Sequence, residues 1–456
     1  MSEYQSYTAY ASLWNKSFPS HWSVLPMYAL AKEKSICGCV DLPLLSVYLD
    51  VGVIPFSAKA EKRTNVTSKD LSKYQRVDCG DFVLNNQQAW RGSVGISFDT
   101  GIVSPAYIVL SMNDMLNSRY ANYLLRSRIM VDQYLINSKS VGSIQRNIYW
   151  PALKRASVPV PPREEQDQIV RFLEWKVSGI NKLIAVKQKQ IANLNEMHLS
   201  VMNDLVTHGI VKERNYVKTS MDWACEIPEE WSISRIRNHF EILKRIAGAE
   251  GYDVFSVTQQ GLRVRDVNVY EGQLAANYSG YQFVYPGEFA MNHMDLLTGG
   301  VGIADHLGVT SPDYRVFRIF DEEHCYAPYY LKVFQICYRR HAFYRFGRGA
   351  ANVGRWRLPA DAFRNFEIPL PPYEEQIKIV QAIGDEEQKT QTAIECLKEQ
   401  IDLLNDLKTR LIADTVTGKI DVRGIEIPEY EFVAEDTNAD NEDDEEETEE
   451  QEGAEE

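Results

Sequence analysis

The chain lacks the features that mark secreted, membrane and zinc-binding proteins. Its 456 residues include only seven cysteines, and no Cys/His pair has the spacing of a zinc knuckle, so we expect reduced thiols and no metal site. No apolar run approaches the roughly 20 residues that cross a bilayer, and the N-terminus (MSEYQSYTAY) has no signal-peptide pattern. We therefore expect a cytoplasmic protein without a membrane segment.

Catalytic motifs are missing as well. There is no Walker-type phosphate loop and no convincing Asp…Glu-x-Lys set of a nuclease. Gly300-Val301-Gly302 is an isolated match to a cofactor loop and is better explained as a turn. Leu370-Pro371-Pro372-Tyr373 resembles the Pro-Pro-aromatic motif of amino-methyltransferases, but its leading leucine offers no polar acceptor. We predict a non-catalytic chain that binds no cofactor itself.

The chain also lacks the positive charge of a typical nucleic-acid-binding protein, since its net charge is −15. Fourteen acidic residues and no Lys or Arg lie between Glu435 and Glu456, so the first 434 residues carry a net charge of only −1. A block of like charges cannot bury a core, and we predict an acidic disordered tail at 425–456. The first 150 residues have 15 Lys and Arg against 11 Asp and Glu, so the tail hides a mildly basic first module.

A long internal repeat is the main positive feature of the sequence. The stretch Val160-Pro161-Pro162-Arg163-Glu164-Glu165-Gln166 returns as Leu370-Pro371-Pro372-Tyr373-Glu374-Glu375-Gln376. From the first glutamate the two copies align without a gap as far as Thr207 and Thr417. The prolines stop an incoming strand, and paired glutamates suit the first turn of a helix. The repeat therefore predicts two equivalent modules, each followed by an equivalent helical connector.

The modules themselves also match each other. Both open with a Pro-x-x-Trp motif, at Pro19–Trp22 and Pro228–Trp231. Short apolar segments punctuated by glycine follow at a constant offset, and helices are predicted near Ser118–Tyr134 and Pro328–Tyr344, so each module is predicted to be α+β. The predicted boundaries are 1–157 for the first module, 158–212 for the first connector, 213–367 for the second module and 368–424 for the second connector.

The connectors have the spacing of a coiled coil. Apolar residues alternate at intervals of three and four over nearly three heptads, with polar breaks at Lys187, His198 and Lys408. A narrow seam of this kind requires one partner helix, and two-fold pseudo-symmetry within one chain favours antiparallel pairing of the two connectors. The predicted seam consists of Ile184, Ile191, Leu194, Val201, Ile394, Leu397, Ile401, Leu404 and Leu411.

The order of these parts resembles the specificity subunit of type I restriction-modification enzymes. The resemblance covers the chain from about Pro19 to Gly424 and is carried by the two Pro-Pro-x-Glu-Glu-Gln helices and the two Pro-x-x-Trp motifs. It implies two target recognition domains, each reading one half of a split DNA sequence, held apart by an antiparallel coiled coil. It also implies docking of methyltransferase subunits, expected to be two, and of motor-nuclease subunits, with S-adenosylmethionine bound by the methyltransferase partner.

Three other interpretations stay open at this point. A related phage-defence methylation system without the nuclease would use a similar recognition subunit. A fused methyltransferase-nuclease would need the S-adenosylmethionine loop that the chain lacks. A helical scaffold without a DNA role would show no salt-sensitive duplex binding.

Candidate DNA-contacting residues lie in the parts that differ between the modules. Arg suits guanine, and Asn or Gln suits adenine, because these side chains present paired donors and acceptors. One Gly-bounded loop of the first module is rich in such groups, as is a stretch before each connector, although polar turns and solvated helix ends have similar compositions. The candidates are Asn85, Asn86, Gln87, Gln88, Arg91, Arg146, Asn147, Asn292, His293, Arg345, Arg348, Asn352, Arg355 and Arg357, with Arg146 and Arg355 preferred as equivalent contacts.

Overall fold

The computed structural model describes residues 3–11, 16–49, 51–59, 70–141, 145–265, 277–349 and 356–434. The chain divides into two compact units. Unit 1 comprises Met1–Gln188 and Lys398–Glu456, and unit 2 comprises Lys189–Leu397. Within the described ranges, none of the helices combines the length and the apolar character that crossing a membrane would require.

Unit 1 contains short strands that pair throughout in antiparallel fashion. Its central sheet has the strand order β4-β11-β8-β9, and smaller two-stranded sheets surround it. The strands are β1 (Tyr7–Tyr10), β2 (Lys16–Pro19), β3 (Ser23–Pro26), β4 (Ala31–Lys34), β5 (Leu45–Tyr48), β6 (Gly52–Pro55), β7 (Gln75–Val77), β8 (Phe82–Asn85), β9 (Val94–Ile96), β10 (Gly101–Val103), β11 (Tyr107–Met112), β12 (Ser138–Val141), β13 (Gln145–Ile148) and β14 (Ser157–Val160).

Unit 2 repeats the same arrangement. Its central sheet has the order β18-β25-β22-β23, which matches the sheet of unit 1 strand for strand. The strands are β15 (Tyr216–Lys218), β16 (Glu226–Pro228), β17 (Ser232–Arg235), β18 (Phe240–Leu243), β19 (Phe255–Thr258), β20 (Gly261–Val264), β21 (Gln282–Val284), β22 (Phe289–Met291), β23 (Val301–Ile303), β24 (Gly308–Thr310), β25 (Arg315–Ile319) and β26 (Glu367–Leu370).

Eight α-helices are formed by the described residues. Two of them are far longer than the rest and correspond to the predicted connectors, although each begins only after the Pro-Pro pair. The helices are α1 (Met27–Leu30), α2 (Ser118–Leu125), α3 (Arg128–Ile136), α4 (Trp150–Leu153), α5 (Arg163–His208), α6 (Ala327–Arg339), α7 (Ala360–Asn365) and α8 (Tyr373–Val416).

The central strands are apolar on both faces because each sheet lies between two cores. In unit 1, Phe82 and Leu84 pack with α2 and α5, whereas Val83, one residue along, packs with the outer hairpin strands. In unit 2, Phe289 and Ala290 divide in the same way between two clusters. Successive residues of a strand point to opposite faces, so a strand covered on both sides has a continuous apolar run.

The two long helices run antiparallel within each unit. In unit 1 the beginning of α5, around Phe172, shares a core with the end of α8, at Leu411 and Val416. In unit 2 the end of α5, at Val206, shares a core with the beginning of α8, around Ile379. The α+β fold with an antiparallel helix pair is therefore confirmed.

The predicted seam positions are all shielded from solvent to some degree. Ile394 and Leu411 are buried, and the other predicted apolar seam residues are half-buried, as are the polar breaks Lys187, His198 and Lys408. Lys187 Nζ donates a hydrogen bond to Gln400 Oε1 at 2.5 Å within unit 1, so this cation is satisfied across the helix pair. Five neighbouring apolar residues that fall outside the seam are exposed: Leu183, Val186, Met197, Leu403 and Leu407.

Each module is attached to the following helix by a tryptophan and a glutamate. In unit 1 the indole Nε1 of Trp22 donates to Glu165 Oε1 at 2.9 Å, and in unit 2 Trp231 Nε1 donates to Glu375 Oε2 at 2.9 Å. Both tryptophans come from the Pro-x-x-Trp motifs, and both glutamates are the second acid of the Glu-Glu-Gln motifs. We call these contacts the Trp–Glu joints. They show that the repeated acid does more than complement a helix dipole.

The opposite helix of the pair ends against the same joint. Gly418 closes α8 next to Trp22, and Gly209 closes α5 next to Trp231, each with a φ of 72°. A Cβ on Gly209 would lie 2.9 Å from Trp231 Cζ2, and one on Gly418 would lie 2.4 Å from Pro19 Cδ. Glycine is required at both ends, because the left-handed conformation and the close approach each exclude a side chain.

The Glu-Glu-Gln glutamine fixes the module's main helix to the start of the connector. Gln166 accepts from Asn117 N at 2.7 Å and donates to Met115 O at 3.0 Å, just before α2. Gln376 makes the same two contacts before α6, accepting from Tyr326 N at 2.8 Å and donating to the carbonyl of His324 at 2.7 Å. The repeated motif thus holds each module in one orientation on its helix.

Candidate nucleic-acid interface

The loop at the end of β8 is built by its own hydrogen bonds. Asn85 Oδ1 accepts from Gln87 N at 3.2 Å, and the indole of Trp90 donates to Gln87 O at 2.8 Å. The side chains of Gln87 and Arg91 are exposed, and the Arg91 guanidinium lies 4.9 Å from the centre of the Trp90 ring. A rigid turn therefore presents an amide and a guanidinium to solvent, which are the groups that read base edges.

The hairpin of β12 and β13 lies beside this loop. Ile148 N donates to Asn86 O at 3.1 Å, which joins two clusters that are about 60 residues apart in the sequence. On the hairpin, Arg146 donates to Leu135 O and to Ser140 Oγ, both at 3.4 Å. Lys139 Nζ lies 3.6 Å from the centre of the Tyr149 ring. The structure thus places the candidates Asn86, Gln87, Arg91 and Arg146 in one region of unit 1.

Two amide oxygens in this region are buried without a hydrogen-bond partner among the described residues. They are Oδ1 of Asn86 and Oδ1 of Asn147, and both belong to the predicted set. Buried polar atoms are normally satisfied, so these acceptors indicate a place for a polar ligand or water. The orientation of an asparagine amide is assigned from such contacts, and a rotated amide would offer donors at the same position.

We call the contact between the loop after β8 and the segment around Ile148 the junction of unit 1. Unit 2 has the same junction with different side chains. Leu358 N donates to His293 O at 2.9 Å, and these two positions correspond to Ile148 and Asn86 of unit 1. Asn292 Oδ1 accepts from Met294 N at 3.2 Å and closes the turn. Arg315 is buried beneath the junction, where its Nη2 donates to Leu358 O at 2.8 Å.

His293 is a neutral ring in this junction. Burial lowers its pKa to about 4, and the positive charges of Arg315 and Arg357 act in the same direction. Its Nδ1 is buried without a partner among the described residues. At neutral pH the ring can donate one hydrogen bond and accept one but carries no charge, so it offers a ligand a hydrogen bond and no ion pair.

Arginines dominate the exposed part of the unit 2 junction. Arg345, Arg348 and Arg357 are all exposed, and the backbones of Arg348 and Arg357 pair with hydrogen bonds of 2.8 and 3.1 Å. Arg345 forms an ion pair with Asp222, so part of its charge is neutralised. This isolated antiparallel bridge places Arg348 and Arg357 opposite each other, and two neighbouring arginines suit phosphate contact.

Two candidates of unit 2 lie outside the described residues, namely Asn352 and Arg355. The backbone register pairs Leu358 with Ile148, so it matches Arg357 with Asn147 and Trp356 with Arg146. This register speaks against the predicted equivalence of Arg146 and Arg355, but Arg355 lies outside the described residues, so the prediction is untested. Of the remaining candidates, Gln88 is half-buried, and its carbonyl oxygen accepts from Arg91 N at 2.9 Å.

Sequence reasoning missed several residues that support these surfaces. Trp90, Lys139 and Trp356 pack against candidate loops, and Trp356 Nε1 donates to Tyr344 O at 2.7 Å. Arg315 is buried, and its guanidinium lies 4.8 Å from the centre of the Phe363 ring. Alternation along β25 could have marked Arg315, because an arginine inside an apolar strand needs a special partner.

Comparisons with known proteins point in one direction. Residues 39–193 match a family described as "Type I restriction modification DNA specificity domain". The chain is 24% identical over 392 residues to the "Putative type I restriction enzyme MjaX specificity subunit" of Methanocaldococcus jannaschii, covering 79% of this chain and 82% of the relative. It is 26% identical over 238 residues to the MjaVIII specificity subunit of the same organism, covering 49% of this chain and 50% of that relative.

A solved structure has the same fold. It comes from work on the "complex assembly and conformational transition of the type I R-M system", and its match covers 88% of this chain and 99% of that chain with a TM-score of 0.58. The sequence identity is 13%, so this likeness shows shared architecture rather than shared side chains.

Proposed function

Because this chain carries a type I restriction-modification DNA specificity domain and resembles type I specificity subunits along most of its length, we propose that it reads a two-part DNA target. The family expected from the sequence is confirmed by these matches. Each unit would bind one half-site in the major groove through its own junction. The chain would contribute recognition and no catalysis.

The observation that carries this proposal is the repeated junction with unlike side chains. The same backbone hydrogen bond joins Asn86 to Ile148 in unit 1 and His293 to Leu358 in unit 2. Around it unit 1 presents amides and arginines, whereas unit 2 presents a histidine and a run of arginines. A common scaffold with different contact groups is what two different half-sites require.

The long helices are proposed to serve as spacer and as docking surface. Their exposed apolar residues outside the seam include Leu183, Val186, Leu403 and Leu407. Exposed apolar groups mark interaction sites, and we assign these residues to docking of a methyltransferase subunit; the number of two such subunits per chain is what the family resemblance implies. Motor-nuclease subunits would join that complex. S-adenosylmethionine would be bound by the methyltransferase partner and not by this chain.

The test is to change one junction at a time and to read the modified DNA. The complex of this chain with its methyltransferase partner is expressed with Gln87→Ala and Arg91→Ala in unit 1, or with Arg348→Ala and Arg357→Ala in unit 2. We expect each pair to relax or shift base preference in one half-site only, because each bidentate pair of hydrogen bonds to a base discriminates by about 1–3 kcal/mol. Sequencing of methylated positions reports both halves at once.

Matched controls replace exposed arginines elsewhere in each unit. Arg119, which pairs with Glu174 in unit 1, and Arg318, which pairs with Glu241 in unit 2, should leave both half-sites unchanged. If a variant pair in one unit altered both half-sites equally, or neither, the assignment of one half-site to each junction would be wrong.

A further inference from the structure

Three potential metal ligands from distant parts of the sequence meet in unit 2. His239 precedes β18, Asp321 follows β25, and Cys325 lies just before α6. One ligand atom of each lies within 4.8 Å of the others. His239 and Cys325 are buried, whereas Asp321 is half-buried. The sequence has no zinc-knuckle motif, and these three potential ligands come instead from separate segments that folding brings together.

The three side chains are held by hydrogen bonds, one of which a cation would replace. His239 Nδ1 lies 2.6 Å from Asp321 Oδ2, and the other ring nitrogen, Nε2, lies 2.7 Å from Ser234 Oγ. His324 approaches from the exposed side, with its Nδ1 2.8 Å from Asp321 Oδ1. Zinc bonds of about 2.0–2.3 Å place tetrahedral ligand atoms roughly 3.5 Å apart, so binding would require side-chain rotations that move Asp321 Oδ2 away from His239 Nδ1. Ser234 would then fix the ring orientation of His239 from behind.

The matching place in unit 1 has none of the buried ligands. The hydrogen bond from Phe320 N to His239 O corresponds to the one from Asn113 N to Leu30 O, so leucine stands where unit 2 has His239. The two glutamine contacts described above match Cys325 with Leu116 in the same way. Both leucines are buried. The fold therefore does not need a histidine or a cysteine here, and their joint presence in unit 2 requires another reason.

We propose that His239, Asp321 and Cys325 bind one zinc ion, with the fourth position facing solvent beside His324. Nitrogen, carboxylate and sulfur ligands together suit Zn²⁺ better than Mg²⁺ or Ca²⁺, which take oxygen ligands. Zinc binds the thiolate form of cysteine, so binding would release the Cys325 thiol proton to solvent as the sulfur–zinc bond forms.

The site would fix the turn between β25 and α6. Cys325 N donates to Asp321 O at 3.1 Å within that turn, and the carbonyl of His324 accepts from Gln376 at the start of α8. A cation that binds only the folded chain stabilises it by mass action. Zinc would therefore strengthen the attachment of the second module to its connector, whereas the first module relies on leucine packing at the same place.

The experiment measures metal in the full-length chain without an affinity tag. After dialysis against a weak chelator, we expect one zinc ion per chain by mass spectrometry. Cobalt substituted for zinc should give the visible absorption of a tetrahedral site and a thiolate-to-cobalt charge-transfer band. Cys325→Ser should abolish that band, whereas Cys396→Ser, which removes an exposed cysteine, should leave it unchanged.

A second variant separates loss of the site from loss of folding. His239→Leu with Cys325→Leu installs the residues that unit 1 uses, so this chain should fold, retain its circular-dichroism melt and carry no zinc. Wild-type chain without bound zinc would overturn the proposal. Equal zinc in the wild type and the double-leucine variant would also overturn it, since the ion would then be adventitious. None of these readouts depends on DNA recognition, so the proposed function stands or falls separately.

Discussion

At the scale of single residues, one buried carboxylate holds each module to its helix. Glu165 accepts hydrogen bonds from the Trp22 indole and the Tyr4 hydroxyl, and it lies 2.6 Å from His21 Nε2. The carboxylate therefore satisfies several buried donors at once. Hydrogen bonds to a charged group contribute about 1.5–3 kcal/mol, and a buried donor left without an acceptor costs a similar amount.

We therefore predict that Glu165→Ala lowers the free energy of unfolding of the chain by about 3 kcal/mol. The neighbouring Glu164 is exposed in the same helical turn, so Glu164→Ala is the matched control and should cost no more than about 0.5 kcal/mol. Urea denaturation followed by tryptophan fluorescence measures both. Equal effects of the two substitutions would show that the acids act through the helix dipole alone.

The Trp–Glu joints also show how much of a tertiary contact can be predicted from the sequence. The Glu-Glu-Gln repeat and the Pro-x-x-Trp motif are both visible in the sequence, and their duplication marks them as structural. Their mutual contact is not visible, because Trp22 and Glu165 are 143 residues apart and neither local periodicity nor capping preference pairs distant segments. The His239 cluster was missed for the same reason, because its three ligands come from separate segments.

At the scale of elements, the helix seam contains a histidine with incomplete hydrogen bonding. The His198 side chain is largely buried, its Nε2 is 3.9 Å from Glu387 Oε1, and its Nδ1 has no partner among the described residues. It lines a cavity of about 430 Å³ in the helix pair of unit 2. Burial lowers its pKa, with Arg339 and Lys332 adding to that effect and Glu387 and Glu386 opposing it.

The lowered pKa predicts a direction for the pH dependence. Between the folded-state pKa and the ordinary value of about 6.5, the unfolded chain binds more protons than the folded chain. The contribution of His198 to stability is therefore complete above pH 6.5 and is lost as the pH falls through the folded-state value. His198→Gln should flatten this part of the stability profile, and His198→Leu should also raise the free energy of unfolding by about 1 kcal/mol.

Thermal melts of the three proteins between pH 5 and pH 8 check both statements. The glutamine variant separates titration from polarity, because it keeps a polar side chain that does not ionise. A leucine variant less stable than the wild type at pH 8 would mean that the histidine contributes a hydrogen bond to the seam.

The elements themselves were largely accessible from the sequence. Heptad spacing predicts both long helices, and the constant offset of 207 between modules reappears as strand register, since Phe82 pairs with Leu110 just as Phe289 pairs with Phe317. The strand order was not accessible, because β4 and β11 are neighbours despite a separation of about 70 residues. The helix predicted near Ser118–Tyr134 is two helices that break between Leu125 and Arg128.

At the scale of the whole molecule, the proposed helical spacer can be lengthened without a change in either junction. The units divide between Gln188 and Lys189 and between Leu397 and Lys398. One heptad inserted at both points adds about 10.5 Å of helix. We predict that the unread gap in the methylated target grows by about 3 base pairs, at 3.4 Å per step, while the bases in both half-sites stay the same.

Methylome sequencing measures the gap and the bases together. The same seven residues added after Ala434, beyond the last described segment, are the control and should change neither. A target whose bases changed while its gap stayed fixed would show that the helices do not set the distance.

The division of the chain also determines which of the two units is fully synthesised first on the ribosome. Unit 2 is one continuous stretch, Lys189–Leu397, whereas unit 1 needs both Met1–Gln188 and residues after Lys398. The core of unit 1 includes Leu411 and Val416 of α8, and Gly418 lies beside Trp22, so unit 1 is complete only after the end of α8 has been made. We therefore expect unit 2 to be fully synthesised before unit 1, and a stop codon before residue 398 would remove the residues of α8 that belong to the unit 1 core.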